Sequence, residues 1–456
     1  MKLQSIQILR GFAALLVVIY HIRAMEALAI ANNGLTESPL LNGLITNGYA
    51  GVDLFFIISG FIMVFVTHGA KSGVRTSGDF LFARATRVYP VWWAFAGIMT
   101  IYMTMAHVLP VGAEGWQTIS RSQPPLDYFV KSFLLLPQPE FPILGVGWTL
   151  VHEMYFYAVF AALLLMPRRL LPVLLALWAC AIVLGGFLGF SAPYAGTIIQ
   201  LVFYPMTFEF ILGAFAGLLV AAGRIWRPGI VFLFGTVWLL AALCFQGLET
   251  EETLTWGRVL WFGLPCAVLI YGLSGLELKD RISWLIPGLI GFLAGCWIYQ
   301  LSGLSDKSAD LARQDGTLLA VIIAGLVMLM VFWIGWLLGQ AAPGWLRSTQ
   351  PVFASFLRAG VRIGDWSFSL YLCHMIVLSA LSRVFETLGK QEILAPYFRM
   401  GSAGPLDNLA FLVTGMGLSL AAAWLTYRYI EKPWIVIFGN LRRSIFHSPS
   451  RRNAAE

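Results

Sequence analysis

The sequence predicts an all-α fold, a polytopic transmembrane helix bundle of about twelve spans with both termini in the cytoplasm. Three observations carry that prediction. Of 456 residues, 59% are apolar and only 12% charged, where a soluble globular chain carries about 25% charged residues. The mean hydropathy is +0.77. Apolar stretches of bilayer length recur along the whole chain, and a hydrocarbon core about 30 Å thick needs roughly 20 helical residues. The 30 basic and 23 acidic side chains are too few to coat a soluble fold of this size. A soluble enzyme, a disordered regulator and a nucleic-acid binder are therefore excluded.

The spans follow in order. The first, 7–29, opens on Arg10 and contains His21. Its end, Ala29-Ile30-Ala31, resembles a signal cleavage site, but a full-length apolar run with an internal histidine reads as a retained span. The second, 48–68, contains Asp53 and the small step Ser59-Gly60. The third, 88–109, starts where a basic loop with Arg84 and Arg87 gives way to Tyr89-Pro90. Before the fourth, 146–166, lies the longest outer loop, 110–145. Its prolines 110, 124, 125, 137, 139 and 142 argue for an irregular lid or a re-entrant segment. Arg168-Arg169 and Arg224 with Arg227 bound the fifth and sixth spans, 170–190 and 198–222. The seventh to tenth are 229–247, 256–275, 282–303 and 317–338. The eleventh, 365–387, carries Ser367, Ser369, Tyr371 and His374, and the twelfth is 407–430.

This alternation places 21 of the 30 Lys and Arg residues on the inner side, as the positive-inside bias requires. Residues 1–434 form one transmembrane domain, and 435–456 form a basic cytoplasmic tail suited to anionic lipid. The cysteines Cys180, Cys244, Cys266, Cys296 and Cys373 lie within apolar runs without CxxC or Cys/His spacing, so they read as buried small hydrophobes and no metal site is expected.

Charge at mid-bilayer costs about 2.5 to 3.5 kcal/mol on insertion scales, so polar residues inside spans are the functional candidates. Arg10 and His21 share one face of the first helix, about 16 Å apart along its axis. A neutral imidazole is cheaper to bury than a fixed charge and serves as a base near pH 7, although on this span alone a packing histidine beside a snorkelling arginine is the favoured reading. Ser59-Gly60 admits close approach by another helix or by a slender ligand. Arg84 and Arg87 present two guanidinium forks suited to phosphate, or anchor the inner face. Glu153 and Tyr157 are i, i+4 neighbours within the fourth span. Glu209 is a second intramembrane acid, and Tyr371 and His374 are i, i+3.

In order and spacing these residues resemble the acyltransferase 3 family of integral membrane acyltransferases. The resemblance runs through Arg10 to His21, Phe55-Phe56 to Ser59-Gly60, Arg84 to Arg87, Trp148-Leu150-Glu153, Glu209-Phe210 to Gly213, Tyr371-Leu372 to His374, and Ile430-Glu431 to Pro433. The opening Leu3-Gln4-Ser5-Ile6-Gln7 is similar to the branch that modifies exopolysaccharides. The family core has ten spans, so 282–338 reads as an inserted helix pair, which preserves the sidedness downstream.

The resemblance implies a multi-pass inner-membrane O-acetyltransferase that takes an acyl group from acyl-CoA, acetyl-CoA above all, to a hydroxyl of a carbohydrate or lipid-linked saccharide. His21 is then the base or acyl carrier, with Glu153 to orient it and Tyr157 to assist. Arg10, Arg84 and Arg87 would hold the CoA phosphates, Ser59-Gly60 would leave room for its pantetheine arm, and Glu209, Tyr371 and His374 would face the acceptor. The competing class is a proton-coupled secondary transporter or flippase, which also uses intramembrane His and Glu. Such proteins often show repeated halves, and this sequence shows no internal repeat.

Overall fold

The computed structural model describes residues 3–35, 47–105, 123–191, 196–244, 256–279, 343–401 and 405–447. Among these the secondary structure is helical, without strands. Eight helical segments are long and apolar enough to cross a membrane. This is an integral membrane protein, and the lipid-facing character is visible on single helices: Val173, Leu177, Leu184 and Phe187 of one span all point outward, as does Cys180, contrary to the buried cysteine expected there. The predicted ninth and tenth spans fall outside the described residues. Two compact units divide the chain. One holds residues 1–65, 212–367 and 380–416; the other holds 66–211, 368–379 and 417–456.

In the first unit, α1 (Gln4–Asn32) begins on Leu3, which has no capping side chain. Its first amides are satisfied instead by Glu277, whose two oxygens accept from the Gln4 and Ser5 N–H groups at 2.7 and 2.9 Å. A carboxylate suits a helix N-terminus because the orphan amides and the macrodipole both favour negative charge. Small residues then set the helix crossings. A Cβ on Gly51, at the start of α2 (Gly51–Thr67), would lie 2.3 Å from the Ala13 carbonyl oxygen, and one on Gly364 would lie 1.8 Å from that of Gln7. Gly364 belongs to the 46-residue helix Pro343–Leu388. Asn33 donates to the Gly401 carbonyl, and Asn47 to that of Ala242.

The second unit is organised by α3 (Val74–Met105), then α4 (Pro125–Leu134) and α5 (Trp148–Leu163). Here the expected third span, 88–109, needs correction. Helix α3 starts at Val74, and its charged first half is the part that packs along α5. Gly73 N–H donates to the Leu164 carbonyl, Ser77 Oγ to that of Ala161, and Phe80 meets Phe160 with ring centroids 5.3 Å apart. Trp92 fills the space above Gly147, where a Cβ would stand 2.4 Å from its ring. The hydropathy window missed this because Arg75, Asp79, Arg84 and Arg87 lower the average of a helix that packs on a neighbour.

The proline-rich loop, expected to be irregular, contains the regular ten-residue helix α4. Tyr89, Trp92 and Trp93 of α3 donate to the carbonyls of Leu134, Ser132 and Phe133. Helix α3 then continues to Met105, about 18 Å beyond that level at 1.5 Å per residue. Residues 132–147 therefore sit well down the length of α3.

The remaining helices are α6 (Leu171–Phe187), α7 (Ile198–Val202), α8 (Thr207–Ala221), α9 (Pro228–Cys244), α10 (Trp256–Leu278), α11 (Pro343–Leu388), α12 (Ala395–Phe398), α13 (Pro405–Thr426) and α14 (Lys432–Phe446). The tail boundary proposed at 434 is not a break. A π-turn, Tyr427–Glu431, joins α13 to α14 just before Pro433, as another at Val259–Gly263 precedes Pro265. Proline lacks an amide and crowds the carbonyl four residues back, and the wider turn absorbs both effects. Helix α14 packs against α3, with Arg442 bidentate to Asp79 at 2.6 Å for both contacts.

Candidate active site

Helix α1 carries His21 half-buried, with Nδ1 2.9 Å from the Val17 carbonyl oxygen one turn back. A carbonyl only accepts, so Nδ1 is the donor in this bond. Tyr20 packs edge-on to the ring at 5.2 Å. Arg10 is buried on the same helix and donates to Gln7 Oε1 at 3.3 Å. The residue after it, Gly11, explains its own place in the motif: a Cβ there would be 2.9 Å from Gly364 N. Arginine and helix crossing are thus adjacent in sequence because a close backbone approach brings α11 onto α1 beside Arg10.

In the second unit Arg84 lies with its guanidinium carbon 5.5 Å from the Phe80 ring centroid and 5.7 Å from that of Tyr157. Its Nε is buried and has no hydrogen-bond partner among the described residues. Tyr157, Arg87, Glu153 and Arg442 are all within electrostatic reach of it. The Tyr157 hydroxyl donates to Glu153, as their i, i+4 spacing predicted. The result is a cation held by aromatic faces, with a second and a third arginine nearby and one carboxylate already engaged by a phenol. Such a cluster favours a multiply charged anion.

The remaining candidates separate by role. Glu209 is fully buried in the first turn of α8, where a helix N-terminus favours an acid. The Tyr371 hydroxyl lies 2.9 Å from the Val146 carbonyl oxygen and 2.8 Å from Thr149 Oγ1, fixing the turn that starts α5. His374 is fully buried with Nδ1 3.0 Å from the Leu370 carbonyl oxygen. Helix α8 makes its close approach to α2 at Ile57 and Phe61. Gly213 and Gly217 of α8 would place a Cβ 2.0 Å from the Ile57 oxygen and 2.8 Å from the Phe61 oxygen. That contact accounts for the glycine of the Glu209 to Gly213 motif.

Sequence reasoning missed two polar pairs. Asp53 and Arg258, both buried, form a bidentate ion pair at 3.0 and 2.6 Å, and the guanidinium also stacks 4.8 Å from the Tyr49 ring. The carboxylate inside the apolar run of α2 was the available signal; its partner, 205 residues away, had none. Ser369 donates to Glu431 at 2.6 Å, joining the last two motifs of the chain in one buried bond. The described residues hold no His/Cys/Asp/Glu group fit for a metal.

The profile of the acyltransferase 3 family, described as an acyltransferase domain, matches residues 3–298. This chain belongs to that family. The match takes in Arg10, His21, Arg84, Arg87, Glu153 and Glu209 and ends within the predicted inserted pair. Over 181 residues, 40% of the chain, the sequence is 34% identical to the exopolysaccharide production protein ExoZ of Rhizobium meliloti (strain 1021), covering 53% of that protein. Over 126 residues it is 29% identical to protein 2 in the picA locus of Rhizobium radiobacter, covering 65% of it. The chain thus spans about half to two thirds of the length of these relatives. No solved structure matches it.

Proposed function

We propose that this protein is an inner-membrane O-acyltransferase that moves an acyl group, acetyl in the first instance, from cytoplasmic acyl-CoA to a hydroxyl of an exported carbohydrate or lipid-linked saccharide. Family membership supports the transferase reading, and the name of the Rhizobium meliloti relative supports a polysaccharide acceptor. The observation that carries the chemistry is the Nδ1 bond of His21 to Val17, which in the neutral ring leaves Nε2 as the basic nitrogen.

Nε2 takes the proton of the acceptor hydroxyl as its oxygen attacks the thioester carbonyl carbon. The carbon–sulfur bond then breaks, the sulfur leaves with the electron pair, and it recovers the proton from Nε2. The products are an O-acyl ester and free CoA thiol. Arg84 and Arg87 neutralise donor phosphates; the Nε of Arg84, without a hydrogen-bond partner among the described residues, supports an anion there. Glu153 and Tyr157 supply the acid–phenol pair that balances and relays charge. Glu209 and His374 are assigned to the acceptor side, and Tyr371 is a positioning residue through its bonds to the start of α5.

General bases contribute about 10²- to 10⁴-fold, so His21→Ala is expected to lower acyl transfer from radiolabelled acetyl-CoA by at least about 100-fold while expression and thermal stability persist. Near-normal transfer by that variant overturns the assignment. Substrate transport without thioester turnover would favour the transporter class instead.

A further inference from the structure

The N-terminal end of α5 forms one wall of a cavity of about 580 Å³, within the range of small-ligand sites. Resting on the acyltransferase reading above, we propose that this cavity is the acceptor site and that it takes an uncharged saccharide in preference to an acidic one.

Its walls are aromatic, with Trp148 and Tyr204 on either side of His152 and Phe141 on the loop opposite. The His152 ring is nearly parallel to Tyr204 at 4.5 Å and edge-on to Trp148 at 5.6 Å, so the three are fixed as a block. Sugar rings present apolar C–H faces that pack on aromatic faces, and equatorial hydroxyls that need polar partners. Gln138 and Glu140 supply those partners from the proline-rich loop. They are held in place beforehand: Gln123 Nε2 donates to Gln138 Oε1 at 3.2 Å and to Glu140 Oε2 at 2.8 Å, and Gln138 Nε2 donates to Ser132 Oγ at 3.1 Å. A site ordered in advance loses less entropy on binding. Burial pushes the Tyr128 phenol up to about 12, so it stays a neutral donor to the Phe141 carbonyl at 3.2 Å and ties that loop down.

Charge gives the selectivity. Among the described residues the lining contains Glu140 and no lysine or arginine. Lys131 is engaged by Gln123 Oε1 and by Asp127, each at 3.3 Å. A carboxylate facing a concave apolar site disfavours a second anion.

Two variants test this on the full-length protein in nanodiscs. Phe141→Ala removes a side chain that is 52% exposed, so it leaves no core void, and Glu140→Gln keeps the shape while removing the charge. Saturation-transfer NMR with cellobiose, maltose and lactose should show transfer to the ring protons of at least one of them, and either variant should weaken it at least about threefold. The glucuronate-terminated counterpart of that disaccharide should bind wild type more weakly than the neutral sugar and gain on Glu140→Gln. Binding of none of the three neutral sugars, or binding indifferent to both variants, overturns the proposal. Radiolabel transfer separates this from the enzyme reading. His21-dependent transfer whose acceptor KM is unchanged in both variants removes the cavity and keeps the enzyme, whereas sugar binding without any His21-dependent transfer does the reverse.

Discussion

Two arginines, Arg258 in one unit and Arg84 in the other, are treated differently by their surroundings. Arg258 has every feature of a structural cation: a bidentate carboxylate from Asp53, an aromatic face from Tyr49 and a further donor contact 3.4 Å from the Tyr49 carbonyl oxygen. Arg84 has the aromatic faces alone, from Phe80 and Tyr157, and no carboxylate bonded to its guanidinium among the described residues. The nearest acid on the neighbouring helix, Glu153, accepts a phenol instead. The proposed anion-binding role of Arg84 rests on this contrast between an arginine the fold satisfies fully and one left with an orphaned donor among the described residues.

The comparison breaks or sharpens according to how each arginine responds to mutation. The largest effect is expected at the structural pair. Asp53→Ala strands a buried guanidinium and should destabilise the protein by about 3–5 kcal/mol, read as a fall in Tm in nanodiscs. Asp53→Leu combined with Arg258→Met should recover most of that loss, because a matched apolar pair replaces a satisfied ionic one. Failure of the double variant to recover would assign Arg258 a role beyond packing.

Next comes Arg84→Ala. It removes an unsatisfied cation, so Tm should change little, while the KM for acyl-CoA should rise about tenfold or more, the range set by about 1.5–3 kcal/mol for a hydrogen bond to a charged group. A fall in Tm comparable to that of Asp53→Ala with an unchanged KM would place Arg84 beside Arg258 as a structural residue. Smaller again is Arg442→Ala. Its partner Asp79 is a real bidentate contact, but the arginine side chain is 38% exposed, and exposed pairs contribute about 0–1 kcal/mol. Thermal unfolding should shift only slightly, and a large shift would show that α14 braces α3 more strongly than its exposure implies.

The difference between the two arginines also marks what the sequence could reveal. Lipid makes polarity expensive, so Arg10, His21, Glu153 and Glu209 stand out in apolar runs and were legible without coordinates, whereas Asp53 was passed over. Their partners were not. Asp53 and Arg258 belong to helices far apart in the chain, and the Ser369–Glu431 bond links two motifs that spacing alone could not connect. The third span was misplaced for a related reason. Averaging hydropathy penalised Arg75, Asp79, Arg84 and Arg87, although that half of α3 packs along α5 through Ser77 and Phe80. Tyr157 with Glu153 was predictable because an i, i+4 pair on one helix needs no tertiary information. His152 went unremarked because its significance lies in Tyr204, some fifty positions on.

The central claim is that Arg84 is an anion-binding residue. Ligand linkage tests it most directly: a ligand that binds the folded state raises Tm according to its concentration relative to Kd. Free coenzyme A, titrated into wild type and into Arg84→Ala in nanodiscs, should raise the Tm of wild type progressively, and the midpoint of that titration should move at least about tenfold higher in the variant. Identical titrations for the two proteins would contradict the claim.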